Sequence, residues 1–229
     1  MEKKVIVLSL GGSLIIPNDV DFKFLKQFKK TIAKHTNKYK FLIACGGGSI
    51  ARKYISALKQ EGKPEKLQSL AGISATRMNA RFMSYFFGLD PKEGIPHTRQ
   101  TLKSYLKHQD VVFFGALEYK PKQTSDSTAA ETAQYLKTEF INLTDVPGLY
   151  TKNPKKFKDA RFISQITWKD FNKMAQASKY QPGQHFVLDQ SAAEIILKHK
   201  IPTYILGKNM KNLDSLLKGK KFKGTTIKG

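Results

Sequence analysis

Three short turns place glycine where an apolar run ends: Ser9-Leu10-Gly11-Gly12-Ser13, Cys45-Gly46-Gly47-Gly48-Ser49 and Thr144-Asp145-Val146-Pro147-Gly148. A backbone that comes close to a phosphate needs glycine, because no Cβ then blocks the approach. Successive N–H groups at a helix start also favour an anion. Ordinary tight strand–helix turns use the same residues, so one such loop says little. Three at the ends of apolar runs point to nucleotide or phosphate chemistry. Arg52 lies one helical turn beyond Gly48. Its guanidinium could grip a phosphate with two parallel hydrogen bonds, or be a surface cation. Asp126 opens a helical pattern after a polar loop. It suits an N-cap or a group that orders cations and water around phosphates. Asp189, before Gln190-Ser191, reads as an N-cap. The chain has 5 histidines, none spaced with cysteine or acid as a metal site. His185 and His199 read as solvated or packed side chains. No Ser/His/Asp or paired-carboxylate set for hydrolysis stands out.

The elements that must position these residues alternate along the chain. Short apolar runs over 5–8, 40–45, 111–117, 140–143 and 202–206 read as strands, with a last one over 224–227. Helical spacing appears at Phe24, Leu25, Phe28 and Ile32 after a capping Asp19 or Asp21. It recurs over 49–58, over 67–87 up to Gly88, and over 126–136, 168–177 and 191–199. Apolar strands separated by helices predict an α/β fold. Its sheet is open, largely parallel and covered by helices on both faces. Ligands of such sheets sit at the carboxyl ends of strands, where all three glycine turns fall.

The 229 residues suit one domain, or two lobes sharing a sheet. The 40% hydrophobic and 11% aromatic content is that of a globular chain. No run is long enough to cross a bilayer. The start, Glu2-Lys3-Lys4 and then an apolar run to Ile16, loosely mimics a signal peptide. Gly11-Gly12 interrupts it, and a first strand with its turn is the better reading. The single cysteine, Cys45, excludes an intrachain disulfide and points to a reducing, cytoplasmic setting. The net charge is +22, from 40 Lys+Arg against 18 Asp+Glu. Such a field attracts polyanions. The lysines are spread along the chain, so the reading is a lysine-rich solvated surface with incidental nucleic-acid binding.

The ordered set of motifs resembles the archaeal-type UMP kinases of the amino acid kinase superfamily. Ser9-Leu10-Gly11-Gly12-Ser13-Leu14 is similar to their first loop, and Gly46-Gly47-Gly48-Ser49 through Ile55 to their glycine-rich motif. The stretch 72–80 is similar to their central helix, and Thr124-Ser125-Asp126-Ser127-Thr128-Ala129-Ala130 to their Thr-Thr-Asp-x-x-Ala-Ala segment. Thr144 to Pro154 is similar to their nucleotide loop, and the tail matches through Gly224-Thr225-Thr226-Ile227. The resemblance spans essentially the whole chain. It implies an α/β/α sandwich with an acceptor lobe over 1–138 and an ATP lobe over 139–229. It also implies transfer of the γ-phosphoryl group of Mg-ATP to UMP, a homo-hexamer, and Mg²⁺ carried mainly on ATP rather than by a protein metal site. The roles implied are phosphoryl contact for Gly11, Gly12, Arg52 and Asp126. ATP would be held by Gly12, Ser13, Gly48, Arg52, Thr144, Asp145, Tyr150 and Asn153. UMP would be held by Gly47, Ser69, Lys120, Pro121, Lys122, Gln123, Thr124 and Ser125. Arg77 is either a functional cation or an intersubunit or surface one.

The chain departs from the pattern at four places. Ser9 stands where many relatives carry lysine, and Gly183-Gln184-His185-Phe186 where some carry another. Lys120, Lys122 and Lys179 are then the candidate cations for the transition state. Tyr119-Lys120-Pro121-Lys122-Gln123 replaces a Thr-x-Pro-Gly loop, Ser69 an aspartate expected at the acceptor ribose, and Asn153 the last aspartate of the nucleotide loop. Two other readings stay open. One is a different small-molecule kinase of the superfamily, for example on isopentenyl phosphate. The other is a catalytically weak nucleotide- or RNA-binding protein.

Overall fold

The computed structural model describes residues 3–120, 123–154, 156–177 and 187–229. In chain order the elements begin with β1 (Lys4–Leu10), α1 (Gly12–Ile15), α2 (Phe22–Ala33), β2 (Tyr39–Cys45), α3 (Gly48–Gln60) and α4 (Glu65–Phe87). They continue with α5 (Arg99–Tyr105), β3 (Val111–Phe114), α6 (Ser125–Tyr135), β4 (Phe140–Leu143), β5 (Leu149–Tyr150), β6 (Phe162–Ile163) and β7 (Gln165–Ile166). The last are α7 (Trp168–Ala177), α8 (Gln190–His199), β8 (Thr203–Leu206), α9 (Met210–Leu217) and β9 (Thr225–Ile227).

Seven strands form one sheet in the order β3-β2-β1-β4-β8-β9-β7. Every neighbouring pair is parallel except β8 and β9. The sheet therefore runs through both expected lobes, joined where β1 pairs with β4. Strand alternation sends successive side chains to opposite faces. Ile6, Leu8 and Leu10 of β1 pack with Phe24, Phe28 and Leu213 of α2 and α9 on one face. Val7 packs with Ala129, Ala133 and Ala192 of α6 and α8 on the other. Ser9 follows Val7 on that second face, fully buried, and sits in register with buried Asn142 of β4. Two polar residues thus stand at the carboxyl end of otherwise apolar strands, under the starts of α6 and α8.

Asp21 caps α2 by accepting the Phe24 N–H, and Gly88 ends α4 in the left-handed region at φ 78. The apolar run over 111–117 is strand only to Phe114. A Cβ on Gly115 would lie 2.6 Å from the Arg77 nitrogen, so the chain leaves the sheet there and turns against α4. The helices α1, α5 and α9 and the short strands β5–β7 add to the expected elements. No helix among the described residues is long and apolar enough to cross a membrane.

Candidate active site

The two glycine loops touch each other at the carboxyl ends of β1 and β2. A Cβ on Gly12 would meet the Gly48 nitrogen at 2.0 Å, and one on Gly46 would meet the Gly12 nitrogen at 2.4 Å. Gly48 also takes φ +63, a conformation L side chains rarely adopt. The glycines are thus required first by loop-to-loop packing. Their N–H groups divide into two sets. Gly11 donates to Leu143 O at 3.0 Å, and Gly46 donates to Leu10 O at 2.9 Å, so both are spent on the sheet. This corrects the expectation that Gly11 offers its N–H to a phosphoryl group. Gly12 and Ser13 open α1, and Gly47 and Gly48 open α3. The N–H groups of a helix's first turn have no intrahelical partner.

Arg52, exposed on α3, donates to Pro17 O at 3.0 Å and reaches Ser13 Oγ at 3.4 Å. It therefore stands over the first glycine loop. Asn79 of α4 donates to Gly46 O at 2.7 Å from a buried position and holds the second loop in place.

Beneath the loops lies a pair of carboxylates. Ser9 Oγ donates to Asp126 Oδ1 at 2.6 Å, and Thr124 Oγ1 donates to Asp189 Oδ2 at 2.5 Å. Thr124, not Asp126, caps α6: its hydroxyl accepts the Asp126 N–H, and Ser127 completes a capping box. Asp126 is thereby free of capping duty. Asp189 caps α8 by accepting the Ala192 N–H, as its sequence position suggests, and also faces Asp126. Burial first, and the Asp189 charge second, push the Asp126 pKa up to about 7, against the pull of Ser9. Burial likewise raises Asp189, opposed by Thr124 and by backbone N–H groups of Ala192, Ser191 and Ser127. Asn142 Nδ2 donates to Val187 O at 2.6 Å and fixes the segment that carries Asp189. Two oxygen-rich groups raised by their neighbourhood would welcome a hard cation. No cluster of three or more metal-type side chains occurs among the described residues.

A cavity of about 250 Å³ opens beside the second glycine loop. Gly47, Ser69, Lys120, Gln123, Thr124 and Ser125 all line it, so the structure brings six expected acceptor residues into one wall. Pro121 and Lys122 lie outside the described residues, as do Lys179 and residues 183–186. Lys120 is not a free cation. It bonds Glu131 at 3.0 Å and Glu118 at 3.2 Å; burial opposes its charge, but these carboxylates outweigh it and raise its pKa. Arg99 reaches the same Glu131 at 2.5 Å. The charge network of Glu118, Glu131 and Arg99 has no local sequence signal.

Arg77 is half-buried and turns its guanidinium to the backbone of the chain. It donates to Ala116 O at 3.0 Å and to Leu117 O at 2.8 Å, while Thr76 Oγ1 accepts the Ala116 N–H. Together they pin the loop that walls this cavity. Arg77→Ala leaves two carbonyls without their charged donor. It is expected to lower stability by about 2 kcal/mol, read from the urea midpoint. An unchanged midpoint would show that the loop does not need the clamp.

Thr144 continues β4, its N–H bonded to Leu206 O at 2.9 Å, and Asp145 follows with an oxygen 3.4 Å from Thr144 Oγ1. Gly148 lets the chain turn against Thr225, whose hydroxyl would lie 2.7 Å from a Cβ there. Tyr150 packs edge-on to Phe162 at 5.3 Å in the small β5–β6 sheet, and Asn153 O closes the turn after it by accepting from Lys156 and Phe157.

The profile of the Amino acid kinase family matches residues 4–207. This chain belongs to that family. Within it, the chain is 34% identical over 225 residues to the uridylate kinase of Thermoplasma volcanium, covering 97% of this chain and 96% of that one. It is 31% identical over 227 residues to the uridylate kinase of Thermococcus kodakarensis, covering 97% and 98%. The crystal structure of uridylate kinase from Archaeoglobus fulgidus superposes with a TM-score of 0.82 at 30% identity, covering 97% and 99% of the two chains. The amino acid kinase fold expected from the motifs is the fold observed.

Proposed function

We propose that this chain is a UMP kinase, transferring the γ-phosphoryl group of ATP to the phosphate of UMP to give UDP and ADP. One observation carries the reading beyond the names of its relatives. The acceptor cavity, the Gly12–Gly48 contact and the Asp126–Asp189 pair adjoin at the carboxyl edge of one sheet. Phosphoryl transfer needs alignment and charge neutralisation more than covalent help from the protein. Residues 1–138 would supply the acceptor side and 139–229 the ATP side.

In this reading the N–H groups of Gly12, Ser13 and Gly48 grip the transferring phosphoryl group and the ATP side, and Gly47 faces the UMP phosphate. Arg52 spans them and holds negative charge that develops during transfer. Thr124, Ser125, Gln123 and Ser69 donate to or accept from the UMP oxygens. The same cavity sets Ala51, Ile55 and Ile73 beside these polar groups, an apolar surface on which a base can lie. Thr144, Asp145, Tyr150 and Asn153 frame the ATP nucleoside. Asp126 and Asp189 fit the Mg²⁺ that travels with ATP, because they are hard oxygen donors whose mutual repulsion a cation relieves. When bound, Mg²⁺ would neutralise phosphate charge there. Ser9 orients Asp126, and Thr124 orients Asp189. Leu67, Leu70, Met78 and Tyr85 form an exposed apolar stripe along α4 and support a homo-oligomer such as the hexamer.

Arg52→Ala tests the reading. Its side chain is exposed and bonds only at the loop, so the melting temperature should hold. The kcat/KM for UMP should fall by about 100-fold or more. Arg52→Lys should recover only part, because a point charge cannot replace the planar fork. Unchanged turnover in Arg52→Ala would remove Arg52 from the mechanism. If the chain instead served RNA binding, Arg52→Ala would matter no more than loss of any other cation.

A further inference from the structure

We propose that a cavity at the amino edge of the sheet, walled by Lys4, Lys38, Lys220, Lys228, Tyr204 and Phe222, is a second anion site that takes a nucleotide phosphate. The cavity measures about 410 Å³ and shares no lining residue with the acceptor cavity. It lies at the start of β1, whereas the glycine loops lie at its end. Seven strand residues separate the two edges by roughly 20 Å at the usual rise.

Charge and shape both point to such a ligand. Lysines 4, 38, 218, 220 and 228 line the cavity, and the sole acid is Glu139. Glu139 answers Lys4 at 3.1 Å, and Asp214 answers Lys218 at 2.7 Å. Among the described residues Lys38, Lys220 and Lys228 form no ion pair, so three lysines of one lining have no carboxylate partner. Lys38 lies over the Tyr39 ring at 5.1 Å. The wall between the lysines is aromatic: Tyr204 and Phe222, both partly exposed, meet edge to face with centroids 6.0 Å apart. The turn after α9 leaves the rim open, since nothing lies within 4 Å of where a Gly219 Cβ would stand. Cations beside a bare aromatic pair recognise an anion that also carries a planar apolar part. Inorganic phosphate would use the lysines and leave the rings idle. A nucleotide uses both, whether as a free metabolite or as a unit of an RNA strand.

Lysine footprinting on the whole protein tests the proposal and distinguishes the two sources. The protein is acetylated briefly alone, with UTP, and with a short oligouridylate, and each lysine is read by mass spectrometry. Acetylation of Lys220 and Lys228 should slow on the order of tenfold with a bound phosphate, while Lys169 and Lys173 on α7 keep their rates. Protection by UTP identifies a free nucleotide, and protection by the oligomer alone identifies a strand. The double variant Lys220→Glu/Lys228→Glu should bind the protecting probe at this site about tenfold more weakly or worse. It should lose protection at Lys38 and keep basal turnover. Unprotected Lys220 and Lys228 with both probes, or protection of Lys38 that survives the double reversal, would overturn the proposal.

Discussion

Asp126→Asn should yield a protein that is more stable than the natural one above neutral pH and nearly inactive. Burial and the neighbouring Asp189 charge hold the Asp126 pKa at about 7 in the folded protein, against about 3.9 for an unfolded aspartate. A raised carboxyl pKa means that the folded state holds the proton more tightly. Below pH ~4 both states are protonated and the group costs nothing. Between ~4 and ~7 the unfolded chain releases its proton first, and stability falls as pH rises. Above about 7 the full cost is present. An amide carries no such cost, and its Oδ1 still accepts the Ser9 hydroxyl. The melting temperature of the natural protein should therefore drop more steeply than that of Asp126→Asn over this range, measured without ligands by differential scanning fluorimetry. Equal slopes would show that Asp126 is not held in the protonated form. Turnover moves the opposite way: kcat should fall by about 100-fold or more, the scale seen when one charged or polar group aimed at a transition state is lost. Higher stability with lost activity is the mark of a group kept at a functional cost.

Gly12→Ala should fail for a different reason. The added methyl would lie 2.0 Å from the Gly48 nitrogen, 2.6 Å from its Cα and 2.7 Å from the Gly46 carbonyl carbon. All three are backbone atoms, so no side chain can swing away and one loop must move. Overpacking typically costs ~1–3 kcal/mol, and contacts this short against backbone fall at the upper end. The displaced loop also takes its N–H groups away from the phosphate. Turnover should be lost even in the fraction that folds. Gly62→Ala is the control. Gly62 has φ +69 with nothing within 4 Å of its Cβ position, so only the left-handed backbone penalty of ~1–2 kcal/mol applies. Activity there should persist. If Gly12→Ala folded and turned over normally, the contact between the loops would not be what positions the site.

Much of this architecture is legible in the chain. Strands β1 to β4 are buried on both faces and read as largely apolar runs. The long helices announce themselves by spacing and by caps such as Asp21 and Gly88. The small strands β5–β7 are two residues each and exist only through partners that the sequence does not mark. α9 carries Met210, Leu213 and Leu217 at helical spacing behind the cap Asn209, yet its eight residues lie in a lysine-rich tail that masks the pattern. The glycine loops are visible because glycine is demanded by contact. The carboxylate pair is not. Ser9 lies 117 residues from Asp126, and Thr124 lies 65 from Asp189, so only the parallel sheet brings them together. Asp189 reads as a helix cap from its neighbours, and it is one; its second role needs β1, α6 and α8 packed on one face. Arg77 carries a charge that suggests a ligand, while the fold spends it on two carbonyls.

The proposed kinase activity requires UMP as the acceptor. The most direct test is ADP formation from Mg-ATP by the purified protein with UMP, CMP, dUMP, GMP and isopentenyl phosphate supplied in turn. The highest kcat/KM should be with UMP, with UDP formed in step with ADP. Turnover confined to another acceptor, or none with UMP while ATP still binds, would contradict it.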